Sequence, residues 1–277
     1  MVALRPRRSW LFVPGADPAA HAAAARSAAD VIILELEDFT PPELRPKARS
    51  LSRKVFDAWR RAGKVAAVRI NPLETDGVAD LRAVLSGRPD IVMMSKVVSP
   101  DQVHALELAT EAAVELVPNV ETAAGLLNAL QIGKASRKVT AMLVASEDMV
   151  ADLGTNRSRG GEELAYVRAR FLVECRAAGV EAIDCPYTFS DVKGATADAR
   201  WAKKMGYRCK SLVTPAHAAA LNAVFSVSRA EARKAEKLVR AFENARKQGK
   251  DRAKVDGKLV EVPIYAAARR LLERTGR

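Results

Sequence analysis

Eight short apolar runs, each followed by a run with helical periodicity, predict an α/β fold: a (β/α)8 TIM barrel with an additional C-terminal helical extension. Two further observations carry this reading. The strand-like runs are apolar throughout rather than alternating, as strands covered on both faces must be. No Gly-x-Gly-x-x-Gly follows the first run, so the runner-up, an open doubly wound sheet, lacks its phosphate-binding turn. The barrel is expected over residues 1–226. The extension is expected over residues 227–277, packing on the barrel or on a neighbouring subunit.

The first run, Ser9 to Val13, breaks at Pro14-Gly15, where Asp17 can cap an Ala-rich helix. The second, Val31 to Leu36, passes into Glu37-Asp38, a Pro-Pro turn and a helix to about Arg61. The third, Lys64 to Ile70, ends in Arg69 and Asn71, and the fourth, Ile91 to Ser95, ends in Lys96. The fifth, VELVPNV, ends in Glu121 just as a helix pattern (TAAGLLNALQI) begins. The sixth, Val139 to Val144, runs into SEDMVADLG and places Asp148 in the same way. A Gly-rich charged segment, GTNRSRGGEE, then precedes a helix from Glu162 to Ala178. The seventh, Val180 to Ile183, leads into Asp184, Pro186 and Tyr187, with a helix from Val192 to Met205. The eighth, Ser211 to Val213, leads into Thr214-Pro215 and another helix. Beyond it come a long amphipathic helix, Arg229 to Lys247, a polar stretch (QGKDRAKVDGK) and the closing VEVPIYAAARRLLERTG.

Composition narrows the function. The 277 residues are 49% hydrophobic, enough for one large core. The net charge is +12, which nucleic acid, a membrane surface or a polyanionic small molecule would each suit. The basic residues are spread along predicted helices rather than clustered, and no RRM, KH, zinc-finger or helix-turn-helix signature is present. No nucleic-acid partner is therefore expected. A phosphate-bearing ligand such as a coenzyme A ester is compatible with the charge. No run of about 18 apolar residues is present, so no membrane span is expected. The basic start lacks the apolar core of a signal peptide. Cys175, Cys185 and Cys209 are widely spaced and form no CxxC pair, which points to buried structural thiols in a reducing compartment. A cytoplasmic protein is expected.

Polar residues gather just past the strand ends: Glu37, Asp38, Arg69, Asn71, Lys96, Glu121, Asp148 and Asp184. That is the face on which barrel enzymes carry their sites, though Asp184 is read as a structural hydrogen-bond acceptor rather than a catalyst. Glu121 and Asp148, acids at the ends of neighbouring strands, are what a hard cation needs, and they are read as a Mg2+ pair. The alternative is that each is a solvated loop or helix-capping acid. His21, His104 and His217 form no triad or zinc pattern.

In this order the motifs resemble the citrate lyase beta-subunit-like (CitE-like) proteins of the HpcH/HpaI aldolase superfamily. They are RSWLFVPG (Arg8 to Gly15), EDFTPP (Glu37 to Pro42), VRIN (Val68 to Asn71), ETAAG (Glu121 to Gly125), EDMVADLG (Glu147 to Gly154) and IDCPY (Ile183 to Tyr187). The tail DGKLVEVP with AARRLL resembles the family's end. The resemblance implies a Mg2+-dependent barrel acting on a carbon–carbon bond in a 3-hydroxyacyl-CoA thioester of malyl, citramalyl or citryl type. Cleavage gives a 2-oxo acid and an acyl-CoA. It implies that Glu121 and Asp148 hold the metal and that Arg69 pairs with the 2-oxo acid's carboxylate, as a bidentate guanidinium does better than Lys. It places Ala145, Ser146 and Glu147 against the substrate and Lys96 as electrostatic support or a surface lysine. The base for the hydroxyl proton is open among Glu37, Asp38 and a metal-bound hydroxide. Some relatives hydrolyse the thioester instead, and a third reading is a non-catalytic lyase-complex subunit. A homo-oligomer, trimer or hexamer, is also implied. The sequence departs from the family pattern at Glu35, Ser95 and Ala145, and over Val213 to His217, where Thr214 and His217 replace the family's His and Gln.

Overall fold

The computed structural model describes residues 6–110 and 114–275. Residues 1–5, the first half of the basic start read above, and residues 276–277 of the extension lie outside the described residues. The chain forms two compact units, one ending at Phe225 and the other beginning at Ser226.

The first unit is a closed barrel of eight parallel strands, each hydrogen-bonded to the next in chain order. They are β1 (Ser9–Pro14), β2 (Val31–Glu35), β3 (Val65–Ile70), β4 (Ile91–Met94), β5 (Glu115–Val120), β6 (Ala141–Val144), β7 (Glu181–Asp184) and β8 (Cys209–Leu212). β1 closes the ring against β8, with Trp10 opposite Ser211. Closure leaves no sheet edge, so the doubly wound alternative is excluded. The helices between the strands are α1 (Pro18–Arg26), α2 (Arg45–Arg61), α3 (Val78–Val84), α4 (Pro100–Ala109), α5 (Ala123–Leu127), α6 (Ala129–Lys134), α7 (Glu147–Asp152), α8 (Ala165–Ala178) and α9 (Val192–Met205). α10 (Ala218–Phe225) follows β8. Asp17 caps α1 by accepting from the Ala19 and Ala20 amides, as its sequence position predicts. The helix expected from Glu162 opens as a 3-10 turn and becomes α-helical at Ala165.

Alternation along the strands divides the core in two. Trp10, Phe12, Val31, Ile33, Val65 and Ala67 fill the barrel with their counterparts on the other strands. The intervening Leu11, Val13, Ile32, Leu34, Ala66 and Val68 pack outward against the helices. Both sets are apolar, which is why the strands do not alternate in sequence. The three cysteines are free and buried. Among the described residues no helix is long and apolar enough to cross a membrane.

The second unit contains α11 (Arg229–Lys247), β9 (Ala253–Val255), β10 (Lys258–Val260) and α12 (Val262–Glu273). The hairpin corrects the reading of QGKDRAKVDGK as merely polar. Its turn residues, Asp256 and Gly257, have φ of 50° and 77°. Asp-Gly supplies the positive φ that a tight hairpin turn requires, so the signal was present in the sequence. Val255 and Val260 pack with Phe242, which stacks on Tyr265 at 4.7 Å between ring centroids.

Candidate active site

The inward parity that fills the barrel continues to the carboxyl ends of the strands and there turns polar. On β2, Val31 and Ile33 are followed by Glu35; on β3, Val65 and Ala67 are followed by Arg69. On β5, Val117 is followed by Asn119 and then Glu121. Glu35 and Arg69 are register partners on adjacent strands. The β1–α1 turn closes tightly over this layer. A Cβ on Gly15 would lie 2.5 Å from the Glu35 carbonyl, so only glycine fits.

Arg69 is the centre of the site. Its Nε donates to Glu35 Oε1 at 2.8 Å, while Nη2 pairs with Glu37 Oε2 at 3.1 Å and Nη1 with Glu121 Oε1 at 3.5 Å. The guanidinium lies over the Phe12 ring at 4.9 Å. Burial works against its charge, but the carboxylates of Glu35, Glu121, Glu37 and Asp38 outweigh it and raise its pKa. Lys96 Nζ sits 2.6 Å from Glu37 Oε1 and 3.8 Å from Asp38 Oδ1. Its backbone has a φ of 54°, a left-handed conformation uncommon for a lysine and characteristic of constrained sites.

The carboxylates outnumber the cations. Burial pushes the Glu121 carboxyl up to about 8; Arg69 opposes the rise, while Glu37, Asp148 and Asp38 add to it. Burial likewise raises Glu37 and Asp148. Glu121 Oε2 is buried with no hydrogen-bond partner. An orphaned carboxylate oxygen in a crowd of acids fits a hard cation, because a bound positive charge would satisfy both the lone pairs and the charge surplus. No group of three or more His, Cys, Asp or Glu side chains converges as a metal cage among the described residues. A cation on Glu121 and Asp148 would take its other ligands from water or substrate.

Beside Arg69 lies a cavity of about 90 Å³. Asp38, Ala145, Ser146, Glu147 and Asp148 line it with Arg69. Glu147 is held by the Thr188 hydroxyl, which donates to it at 2.7 Å, and by Arg157 Nε at 3.3 Å. A second hollow of about 430 Å³ shares Asp38 and is bordered by Glu37, Lys96, Asn71 and Arg45.

The structure thus brings Glu37, Asp38, Arg69, Lys96 and Glu121 into one ion-pair cluster and sets Asp148 within its electrostatic reach. Two residues of the strand-end set go elsewhere. Asn71 donates to Leu36 O and Asp80 Oδ2, bracing the loop after β3. Asp184 has outward parity and pairs with Arg168 and Lys210 between barrel and helices. Val213 lines the cavity, whereas His217 is buried with its ring nitrogen 3.1 Å from Ser190 O. Glu35, Phe12, Phe39 and Thr188 belong to the site and were not picked out as site residues in the sequence. The parity of β2 would have found Glu35 and that of β1 Phe12; Phe39 and Thr188 lie on loops that carry no periodic signal.

A closed barrel with charged groups converging past its strand ends has the arrangement of a barrel enzyme site. Residues 8–215 match the model of the HpcH/HpaI aldolase/citrate lyase family, and the chain belongs to that family. The resemblance read from the motifs is borne out. The citrate lyase subunit beta of Leuconostoc mesenteroides subsp. cremoris is 30% identical over 97% of this chain and 93% of its own length. A (3S)-malyl-CoA thioesterase of Cereibacter sphaeroides is 34% identical over 96% of this chain and 94% of its own. The crystal structure of CitE from Mycobacterium tuberculosis, in complex with magnesium, acetoacetate and coenzyme A, superposes with a TM-score of 0.81 at 29% identity. That match covers 99% of this chain and all of the other.

Proposed function

We propose that this protein is a Mg2+-dependent carbon–carbon lyase. It cleaves, or forms, a 3-hydroxyacyl-CoA thioester of malyl, citramalyl or citryl type, giving a 2-oxo acid and an acyl-CoA. The observation that carries the reading is the pairing of a buried guanidinium, Arg69, with a buried carboxylate, Glu121, whose second oxygen, Oε2, has no hydrogen-bond partner. The first is suited to grip a carboxylate with parallel hydrogen bonds, and the second to hold a hard cation. The magnesium in the M. tuberculosis CitE structure supports the choice of ion.

Glu121 and Asp148 would hold Mg2+, which when bound acts as a Lewis acid toward the oxygen of the departing carbonyl. Arg69 takes the carboxylate that becomes the 2-oxo acid's and fixes the scissile bond beside the carboxylates. Asp38, which lines the cavity, receives the 3-hydroxyl proton as the carbon–carbon bond breaks. The bonding electrons pass to the thioester side as an enolate, which is then protonated to the acyl-CoA. Glu37 lies behind Asp38 and holds Lys96 near the developing negative charge.

A second reading, thioester hydrolysis on the same scaffold, is favoured by the likeness to the malyl-CoA thioesterase. Turnover of malyl-CoA, citramalyl-CoA and citryl-CoA with Mg2+, with and without chelator, tests both. Chelator-sensitive release of a 2-oxo acid supports the lyase. Release of free CoA alone replaces it with the thioesterase, and silence on every substrate overturns both.

A further inference from the structure

The metal reading proposed above rests on Glu121, and the two oxygens of that carboxylate stand in different surroundings. Oε1 receives Arg69 Nη1 at 3.5 Å and Asn119 Nδ2 at 3.4 Å. Oε2 is buried with no hydrogen-bond partner among the described residues. Arg69 is a divided donor, with its Nε turned to Glu35 and its Nη2 to Glu37. In the proposed reaction it also meets the substrate carboxylate. Asn119 has no such second duty.

Asn119 departs from the chemistry of its place. It is fully buried on β5 and shares the inward parity of Val117 and Glu121. The interior beneath the mouth is apolar: Met93, Val117 and Leu143 belong to one packed cluster, and Leu143 is the register partner of Asn119 on β6. The backbone at Asn119 is held without the side chain, since its carbonyl accepts the Val97 amide at 3.0 Å. The side-chain Oδ1 is buried and has no hydrogen-bond partner among the described residues. A buried acceptor left without a donor destabilises a fold, and a leucine of the same branched shape would avoid that cost. What the amide supplies instead is a neutral N–H donor to a carboxylate. The opposite orientation would set an amide oxygen against Glu121 Oε1, so Nδ2 faces it.

We infer that Asn119 is a positioning residue of the metal site, resting on the reading in which Glu121 holds Mg2+. Its amide fixes the Glu121 carboxylate by Oε1, so that Oε2 remains the oxygen open to the cation even when Arg69 engages substrate. Groups that hydrogen-bond a ligating carboxylate set metal affinity by about 10–100-fold.

Calorimetric titration of Mg2+ into the metal-free full-length protein tests the inference without turnover. Asn119→Leu removes the donor and the orphaned oxygen together while keeping the branched shape. Mg2+ binding should weaken by about tenfold or more, while melting in chelator stays at or above wild type. Asn119→Ala removes the same donor but leaves a gap. Equal weakening in both variants supports the inference, because only the lost amide is common to them. Wild-type affinity in either variant overturns it. Glu121→Gln separates the inference from the reading beneath it. If that variant loses Mg2+ binding while Asn119→Leu binds as wild type does, the metal site stands and the role of Asn119 falls. If Glu121→Gln binds Mg2+ as tightly as wild type, both fall.

Discussion

Arg69 Nε donates to Glu35 Oε1 at 2.8 Å, between side chains that adjacent strands hold opposite one another. Glu35 also accepts the backbone amides of Glu37 at 2.8 Å and Phe39 at 2.6 Å. One carboxylate therefore orients both the guanidinium and the loop that carries Glu37 and Asp38. Glu35→Ala leaves a buried guanidinium without its Nε partner and frees two amides. Breaking a buried pair in this way costs about 3–5 kcal/mol. Urea unfolding of the variant at pH 7 reads the loss directly. A change below about 1 kcal/mol, the range of surface pairs, would mean that Glu35 does not anchor the site.

Arg69→Lys keeps the positive charge and removes the planar fork. The expected outcome is weaker binding of a 2-oxo acid by about tenfold or more, with the fold retained in circular dichroism. The same affinity in both proteins would remove Arg69 from carboxylate recognition.

Glu121→Gln preserves shape but replaces a carboxylate whose ionisation burial opposes. In wild type, Mg2+ at about 100 times its dissociation constant should stabilise the fold by about 2.7 kcal/mol. The variant should show no such rise in melting temperature while melting at or above metal-free wild type. A full Mg2+-dependent shift in the variant would show that the ion binds elsewhere.

The barrel was legible because its code is regular. Eight apolar runs with Gly or Pro breaks and intervening helical periodicity fix both element type and order, and boundaries moved by only a few residues, as at β8. The acids at the strand ends were visible for the same reason, since a strand end is a defined place on the barrel. What the sequence did not disclose depends on which way a strand's last residue points. Asp184 and Glu121 both close a strand; the structural role expected of Asp184 fits its outward pairing with Arg168 and Lys210, but neither partner is evident from the sequence. Glu35 departs from a family pattern; the parity of β2 points it into the barrel mouth, but its contacts with Arg69, Glu37 and Phe39 are what make it an anchor. Thr188 reaches Glu147 across 41 positions of sequence, a contact that no local pattern encodes.

The segment after β6 carries a pH-sensitive tie. Burial pushes the Glu163 carboxyl up, but the Ser158 hydroxyl and amide, with Arg157, outweigh it and bring it down to about 2. A carboxylate depressed in the fold contributes stability above its unfolded value of 4.5, and that contribution is lost as the pH falls from 4.5 to about 2. Glu163→Gln should therefore be less stable than wild type at pH 7. The gap in urea midpoint should close as the pH falls through that window. A gap that persists unchanged at pH 2 would mean that Glu163 acts through packing rather than charge.

Between β7, β8 and their helices, Lys210 and Arg168 face Asp184 and Asp198 in a buried four-membered network. Lys210 Nζ lies 2.6 Å from both Asp184 Oδ2 and Asp198 Oδ2. Arg168 Nη2 pairs with Asp184 at 2.6 Å, Nη1 pairs with Asp198 at 2.8 Å, and the guanidinium lies over Trp201 at 4.2 Å. Burial works against ionised Asp198, yet Lys210 and Arg168 hold its carboxyl below its ordinary value. Two cations and two anions balance, so the removal of one strands a charge. Lys210→Met should cost about 3–5 kcal/mol in urea unfolding at pH 7, because two aspartates then share one arginine. Adding Asp198→Asn removes the surplus anion while keeping the side chain's shape, and should recover about 0.5–3 kcal/mol of that loss. If the double variant is no more stable than the single, the cost of Lys210→Met is lost packing around an alkyl chain. The network would then position β7 by shape, and its charges would be incidental to the fold.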